Sequence, residues 1–240
     1  KLVRICGQGE PLLNKKLGQY IKYMYESGVT EKIELITNGV LLKGDIIECI
    51  SQYVTRIVVS VEALDGPGYR DLVGSDVKFE EIVNNIEEMY KNRKQCIVHI
   101  KIPNVSVPSE EDKKKFFDIF DKISDEMNIE NIVPLWPEMN ISKELTPILD
   151  KKSRWNKDLG EKKVCVQIFK GLQVCSDGDV VPCCVDWERI NLLGNINTDS
   201  LDQIWFGHQL KELQNEHLRG NNEKIRPCAG CTMNDYSEPD

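Results

Sequence analysis

Leu2-Val3-Arg4-Ile5-Cys6-Gly7-Gln8-Gly9-Glu10-Pro11 is a short apolar run that passes into a glycine-rich turn and ends at a proline. This is the pattern of a buried strand delivering its chain into a βα loop. The pattern returns. Apolar runs lie at residues 33–36, 57–61, 96–102 and 132–135, short and rich in β-branched side chains. Helical stripes alternate with them. Leu17, Tyr20, Ile21, Met24 and Tyr25 form one, closed by Gly28. Phe79, Ile82, Val83, Ile86, Met89 and Tyr90 form the next. Phe116, Phe117, Phe120 and Ile123 form a third, with Ser109 as N-cap and Asp112 three residues on. Strand–helix alternation with short connections predicts an α/β fold with a parallel sheet, open or barrel-like.

Beyond this frame the character changes. Residues 134–163 have few apolar side chains and many lysines, and read as a linker. A second unit starts near Val164. Apolar segments at 172–175 and 180–183 flank Ser176-Asp177-Gly178-Asp179, a hairpin signal. Ser200 and Gln203 make a capping box ahead of Leu201, Ile204 and Trp205. Leu210, Leu213 and Leu218 continue as a helical stripe ended by Gly220. The expected division is a first domain over residues 1–150 and a second over 160–240.

Composition narrows the function. A net charge of −8 with both signs mixed argues against a nucleic-acid partner, which needs a basic face. No apolar stretch approaches the ~20 residues of a membrane span. Nine cysteines with no regular framework point to a reducing cytoplasm and to metal-bound thiols. Cys165, Cys183, Cys228 and Cys231 stand in a C-x17-C-x44-C-x2-C array. Four thiolates suffice for one iron–sulfur cluster or one zinc ion. Cys184 could stand in for Cys183, but neighbours on a strand face opposite sides, so one of the two ligates. Cys6, Cys49 and Cys96 read as small apolar residues inside strands or a helix. His208 and His217 read as surface or packing residues.

In parallel α/β folds ligands bind at the C-terminal ends of the strands. Polar residues collect there: Gly9, Glu10 and Pro11 after the first run, Thr37, Asn38 and Gly39 after the second. Ser60, Glu62 and Asp65 follow the third, with Arg70 beyond, and His99 and Lys101 lie in the fourth. Glycine lets a backbone come close to a ligand and proline fixes the next turn. The Glu10 carboxylate and nearby carbonyls could accept bonds from an ammonium group.

With these motifs the chain resembles the radical S-adenosylmethionine (SAM) enzymes that carry a C-terminal SPASM or twitch domain. Gly9-Glu10-Pro11 is similar to the end of the family's Gly-Gly-Glu-Pro motif, with Gln8 in place of a glycine. Thr37-Asn38-Gly39 and Ser60 match the ends of the next two strands, and Arg70 is a looser match to an arginine that meets the methionine carboxylate. Asp177-Gly178, Cys183, Gly194-Asn195-Ile196, Ile204-Trp205 and Cys228-x2-Cys231 follow the C-terminal domain in order. The resemblance implies a partial TIM-like (β/α) barrel lacking its first strand unit, plus a small SPASM/twitch domain. It implies that Gly9, Glu10, Pro11, Asn38, Ser60 and Arg70 bind SAM. It also implies that Cys165, Cys183, Cys228 and Cys231 hold an auxiliary [4Fe–4S] cluster. Asp186, Glu62 and Asp65 are alternative catalytic bases. A 5′-deoxyadenosyl radical would abstract hydrogen from a peptide or small sugar-like substrate, with a flavodoxin or ferredoxin as electron donor. The family's Cys-x3-Cys-x2-Cys motif is absent from this sequence, and the radical cluster is expected on an upstream segment. The competing reading is a non-catalytic zinc or iron–sulfur interaction module, or a degenerate homologue.

Overall fold

The computed structural model describes residues 1–133, 153, 162 and 164–236. They divide into two units, Lys1–Glu130 and Asn131–Asp240. The linker expected over 134–163 lies, apart from residues 153 and 162, outside the described residues.

The first unit is one parallel sheet of β1 (Leu2–Ile5), β2 (Lys32–Thr37), β3 (Arg56–Ser60), β4 (Ile97–Pro103) and β5 (Glu126–Glu130). Every strand pairs with the next in sequence, and all pairs are parallel. The crossovers carry α1 (Leu17–Glu26), α2 (Asp45–Tyr53), α3 (Gly66–Val73), α4 (Phe79–Asn92) and α5 (Glu110–Phe120). A strand order that never reverses is the start of a barrel, whereas a doubly wound sheet turns back at a switch point. The Ser109–Asp112 capping box at the start of α5 forms as expected.

One face of the sheet is apolar. Leu35, Ile57, Val59, Val98, Ile100 and Ile102 are fully buried. Ile21, Ile50, Ile82, Ile86, Phe116 and Phe120 from the helices join the same core. Each such side chain contributes about 1.5–3 kcal/mol by leaving water. The other face carries Arg4, Glu34, Arg56, His99, Lys101, Glu126, Asn128 and Glu130, because strand residues alternate sides.

Three expectations about the strands need correction. The fifth strand is Glu126–Glu130, and residues 132 and 133 are not in a strand. Glu-Met-Asn-Ile-Glu alternates polar with apolar, since one side faces the core (Met127, Ile129) and the other is polar. A search for continuous apolar runs passes over such a strand. The second hairpin strand ends at Val181, so Cys183 and Cys184 lie in the turn that follows it. Cys6, expected inside a strand, is exposed just after β1.

The second unit has a three-stranded antiparallel sheet of β6 (Gln173–Val174), β7 (Asp179–Val181) and β8 (Gly194–Asn195). Short helices α6 (Gln167–Lys170), α7 (Leu201–Trp205) and α9 (Met233–Tyr236) accompany the longer α8 (His208–Leu218). The expected hairpin turn is present: Gly178 donates to the Cys175 carbonyl at 3.0 Å with φ +94°. Val180, Leu193, Ile204 and Leu210 form a buried cluster. Leu218, expected on the buried stripe of α8, is 62% exposed, and His217 takes that place beside Leu210 and Leu213. Among the described residues no helix is long and apolar enough to cross a membrane.

Candidate functional site

At the C-terminal ends of β1 and β2 one carboxylate ties two loops together. Glu10 Oε1 accepts from the Leu12 amide at 2.9 Å and from the Thr37 hydroxyl at 2.7 Å, while Oε2 accepts from the Asn38 amide at 2.8 Å. Glu10 therefore shapes the rim as well as lining it. A carboxylate has about four acceptor positions, so capacity remains for a ligand's ammonium group. Gly7, Gln8 and Gly9 are exposed, and Gly9 has φ +111°. Gly39 follows Asn38 at φ +78°, and a β-carbon there would sit 2.9 Å from Val59 Cγ1. Buried Asn85 locks this turn by donating to the carbonyls of Gly39 and Val40 at 3.0 and 3.1 Å.

Ser60 ends β3 and pairs in register with Lys101 of β4. Lys101 Nζ meets Glu130 at 2.5 Å, both side chains largely covered. Glu62 lies just beyond β3, its amide donating to the Tyr69 hydroxyl at 3.2 Å and its carbonyl accepting from Ser106 at 2.5 Å. Burial pushes the Glu62 carboxyl above its ordinary range, with Lys101 pulling it back and Glu130 pushing it further up. Burial also lowers the His99 imidazole, helped by the Arg56 guanidinium, whose Nη2 lies 2.7 Å from His99 Nδ1. Arg56 also pairs with Glu126.

The other expected residues have different surroundings. Asp65 caps α3, accepting from the Gly68 amide at 2.8 Å. Arg70 is exposed and pairs with Asp76 at 3.0 Å. Asp186 is buried and accepts from the Ile190 and Asn191 amides, each at 2.8 Å, and from the Asn191 side chain at 3.2 Å. Asn191 in turn donates to the Arg226 carbonyl at 2.6 Å. Asp186 thus joins the turn after Cys183 to the segment before Cys228. Glu62 combines a partly buried side chain with a raised affinity for protons.

In the second unit Cys165, Cys183, Cys228 and Cys231 line one cavity. Cys184 is exposed and is not among its lining residues. The remaining wall is mostly apolar, with Ile168, Val185, Pro227 and Met233. Burial pushes the Cys183 and Cys228 thiols up to about 12 and raises Cys165. Backbone amides act in the opposite sense. Gln167 and Ile168 donate toward Cys165, and Val185 and Asp186 toward Cys183. Amides aimed at sulfur suit thiolates bound to a cluster, where such bonds tune the potential. Among the described residues no three His, Cys, Asp or Glu side chains converge on a point suited to one metal ion.

Residues 3–118 match the Radical SAM superfamily, and residues 165–232 match SPASM, an iron–sulfur cluster-binding domain. The chain belongs to the radical SAM family and carries a SPASM domain. Membership brings SAM and [4Fe–4S] clusters as cofactors, and the SPASM match spans all four cavity cysteines. The chain is similar to the SAM-dependent tRNA 4-demethylwyosine synthase of Methanocaldococcus jannaschii, 32% identical over 98 residues, 40% of this chain and 30% of that protein. It is also similar to the GTP 3′,8-cyclase of Pasteurella multocida, 30% identical over 89 residues, 37% of this chain and 26% of that protein. The matched part thus spans less than a third of these relatives. Streptococcus suis SuiB bound to S-adenosylmethionine superposes with a TM-score of 0.65 at 17% identity, covering 99% of this chain and 61% of that one. BtrN in complex with AdoMet and 2-DOIA gives 0.55 at 16%, covering 96% and 72%. A structure of anSMEcpe with bound AdoMet and a peptide gives 0.60 at 16%, covering 96% and 74%. At such identities the likeness establishes the radical SAM fold.

Sequence reasoning missed one residue of the SPASM cavity. His217 lines it and is 2% exposed. Its spacing of seven residues from Leu210 and four from Leu213 is the available signal. Burial lowers its imidazole below the usual range.

Proposed function

We propose that this radical SAM chain forms the cofactor-binding and auxiliary-cluster part of an enzyme that abstracts hydrogen from a peptide or a small sugar-like substrate. The observation that carries the reading is the gathering of Cys165, Cys183, Cys228 and Cys231 around one cavity, in a chain whose other unit is a radical SAM sheet. In this reading the first domain runs over about residues 1–150 and the second over 160–240. The loop of Gly9, Glu10 and Pro11 receives the methionine amino group, and Glu10 keeps that loop in register with Asn38. Ser60 faces the ribose and Arg70 the methionine carboxylate, which requires Arg70 to leave Asp76. Bound SAM would supply the hydrogen-abstracting 5′-deoxyadenosyl radical on reduction by a [4Fe–4S] cluster.

Glu62 accepts the substrate proton. Its environment supports that role, because a carboxylate that holds protons more tightly than usual is a stronger base. The Lys101–Glu130 pair beside it offers one cationic and one anionic contact for a polar substrate. The four cysteines would hold a [4Fe–4S] cluster able to accept the remaining electron, and a flavodoxin or ferredoxin would be the electron donor.

Anaerobic reconstitution with iron and sulfide tests the cluster. The expected product carries about four irons on thiolates and a broad absorption near about 400 nm. Bound zinc without that band overturns the reading in favour of a structural metal module. Calorimetry with SAM tests the rim: Glu10→Ala is expected to weaken binding by about tenfold or more, the loss of one to two charged hydrogen bonds. Unchanged affinity removes Glu10 from the SAM site.

A further inference from the structure

His217 is a second unusual feature of the SPASM cavity. Its side chain lies on the buried side of α8, in line with Leu210 and Leu213. It lines the same cavity as the four cysteines. Both ring nitrogens are buried, and neither has a hydrogen-bond partner among the described residues. Buried polar atoms are almost always paired, so an unpaired one marks a partner that the polypeptide itself does not provide. A neutral imidazole carries one N–H on one nitrogen or the other, and either position leaves a donor without an acceptor. Asn222 and Asn234 also border the cavity, yet neither is bonded to the ring. What the cavity holds must therefore supply the acceptor. A leucine or phenylalanine would complete the helix stripe without this penalty, so packing alone does not explain a histidine here.

We infer that His217 donates its ring N–H to a sulfur of the cluster held by Cys165, Cys183, Cys228 and Cys231, and so raises the reduction potential of that cluster. This rests on the cluster reading of the cavity given above. On one-electron reduction by an external donor, the added negative charge spreads over iron and sulfur. A donor fixed against a sulfur stabilises the reduced form more than the oxidised form, and hydrogen bonds to sulfur are a principal control of such potentials. His217 is in this sense a positioning residue that acts through the cluster.

The test is a dithionite titration of the reconstituted full chain, followed by electron paramagnetic resonance. His217→Phe is expected to keep its iron and to need a lower potential for half-reduction. The expected size is about a tenfold fall in the reduced-to-oxidised ratio at fixed potential, equivalent to about 59 mV for one electron. His217→Gln keeps a donor and is expected to recover most of that loss. A loaded H217F protein with the wild-type potential overturns the inference. If H217F loses its iron, the wild type labelled with ¹⁵N-histidine decides by pulsed resonance on the reduced cluster. A weak nitrogen coupling supports an N–H to sulfur bond. No coupling, or the strong coupling of an iron-bound imidazole, overturns it. A wild-type chain that assembles no cluster overturns the underlying cluster reading, and that outcome is distinct from a loaded cluster indifferent to His217.

Discussion

The two units of this chain solve the problem of burial differently. Lys1–Glu130 covers one face of a parallel sheet with helices and buries a continuous apolar core from Leu17 to Phe120. In Asn131–Asp240 the buried apolar cluster among the described residues comprises Val180, Leu193, Ile204 and Leu210. Beside it lies a cavity walled by cysteines. Small domains with too little apolar core draw stability from metals or cross-links. The contrast teaches that the first unit is specified by side chains that dislike water, and the second by side chains that await a ligand.

Removing the ligand's anchors should break this contrast most strongly. Cys183→Ser is expected to abolish cluster uptake and to strip amide protection from the second unit, while β1–β5 keep theirs. Iron analysis with hydrogen exchange measures both. Cys184→Ser should leave iron content unchanged, because that side chain is exposed. A reversed outcome would move the ligand to Cys184.

Phe116→Ala attacks the other side of the comparison. Phe116 is fully buried, and its truncation should cost the first unit about 3–5 kcal/mol in urea unfolding. The absorption of the cluster should persist at denaturant concentrations that unfold the sheet. Loss of both signals together would show that the units depend on each other for stability.

Gly39→Ala probes the rim on a smaller scale. Its φ of +78° disfavours a side chain, and the added carbon would meet Val59 Cγ1 at 2.9 Å. A loss of about 1–3 kcal/mol is expected, with a matching fall in SAM affinity.

Glu62→Gln should give the smallest change in stability, with a sign that depends on pH. Because burial raises the carboxyl above its ordinary value, its favourable contribution is complete below the unfolded value and is lost as pH rises through the folded one. The glutamine variant should therefore be the more stable of the two near about pH 7 and lose that advantage near about pH 4, at or below the ordinary glutamate range. Amide exchange in β3 at the two pH values measures it. Activity should fall in the same variant, separating a functional carboxylate from a packing one.

Much of this was readable beforehand. Apolar runs located β1 to β4, and stripes located α1, α4 and α5, because a buried face writes its period into the sequence. The Asp45–Tyr53 and Gly66–Val73 helices escaped. The first follows Gly44 with no side-chain cap, and the second is short and led by glycine and proline. β5 escaped because its polar face breaks the apolar run. The cysteine spacing singled out one array, yet it did not distinguish Cys183 from Cys184. That distinction came from a turn beginning earlier than the strand pattern suggested, which leaves Cys183 inward and Cys184 exposed.

Sequence by itself settled the family, the parallel α/β frame and the four thiols, since these follow from residue types at short, regular spacings. Only the tertiary structure decided what shared chemistry across long separations requires. Glu10 reaches Thr37 and Asn38 through a loop contact. Glu62 gains its raised affinity for protons from burial and from Glu130 on another strand, against the opposing pull of Lys101. His217 changes from a packing residue to an unpaired donor because α8 turns it onto the cysteine cavity. Periodicity tells which side chains are buried, but the partners they meet there are set by packing between elements.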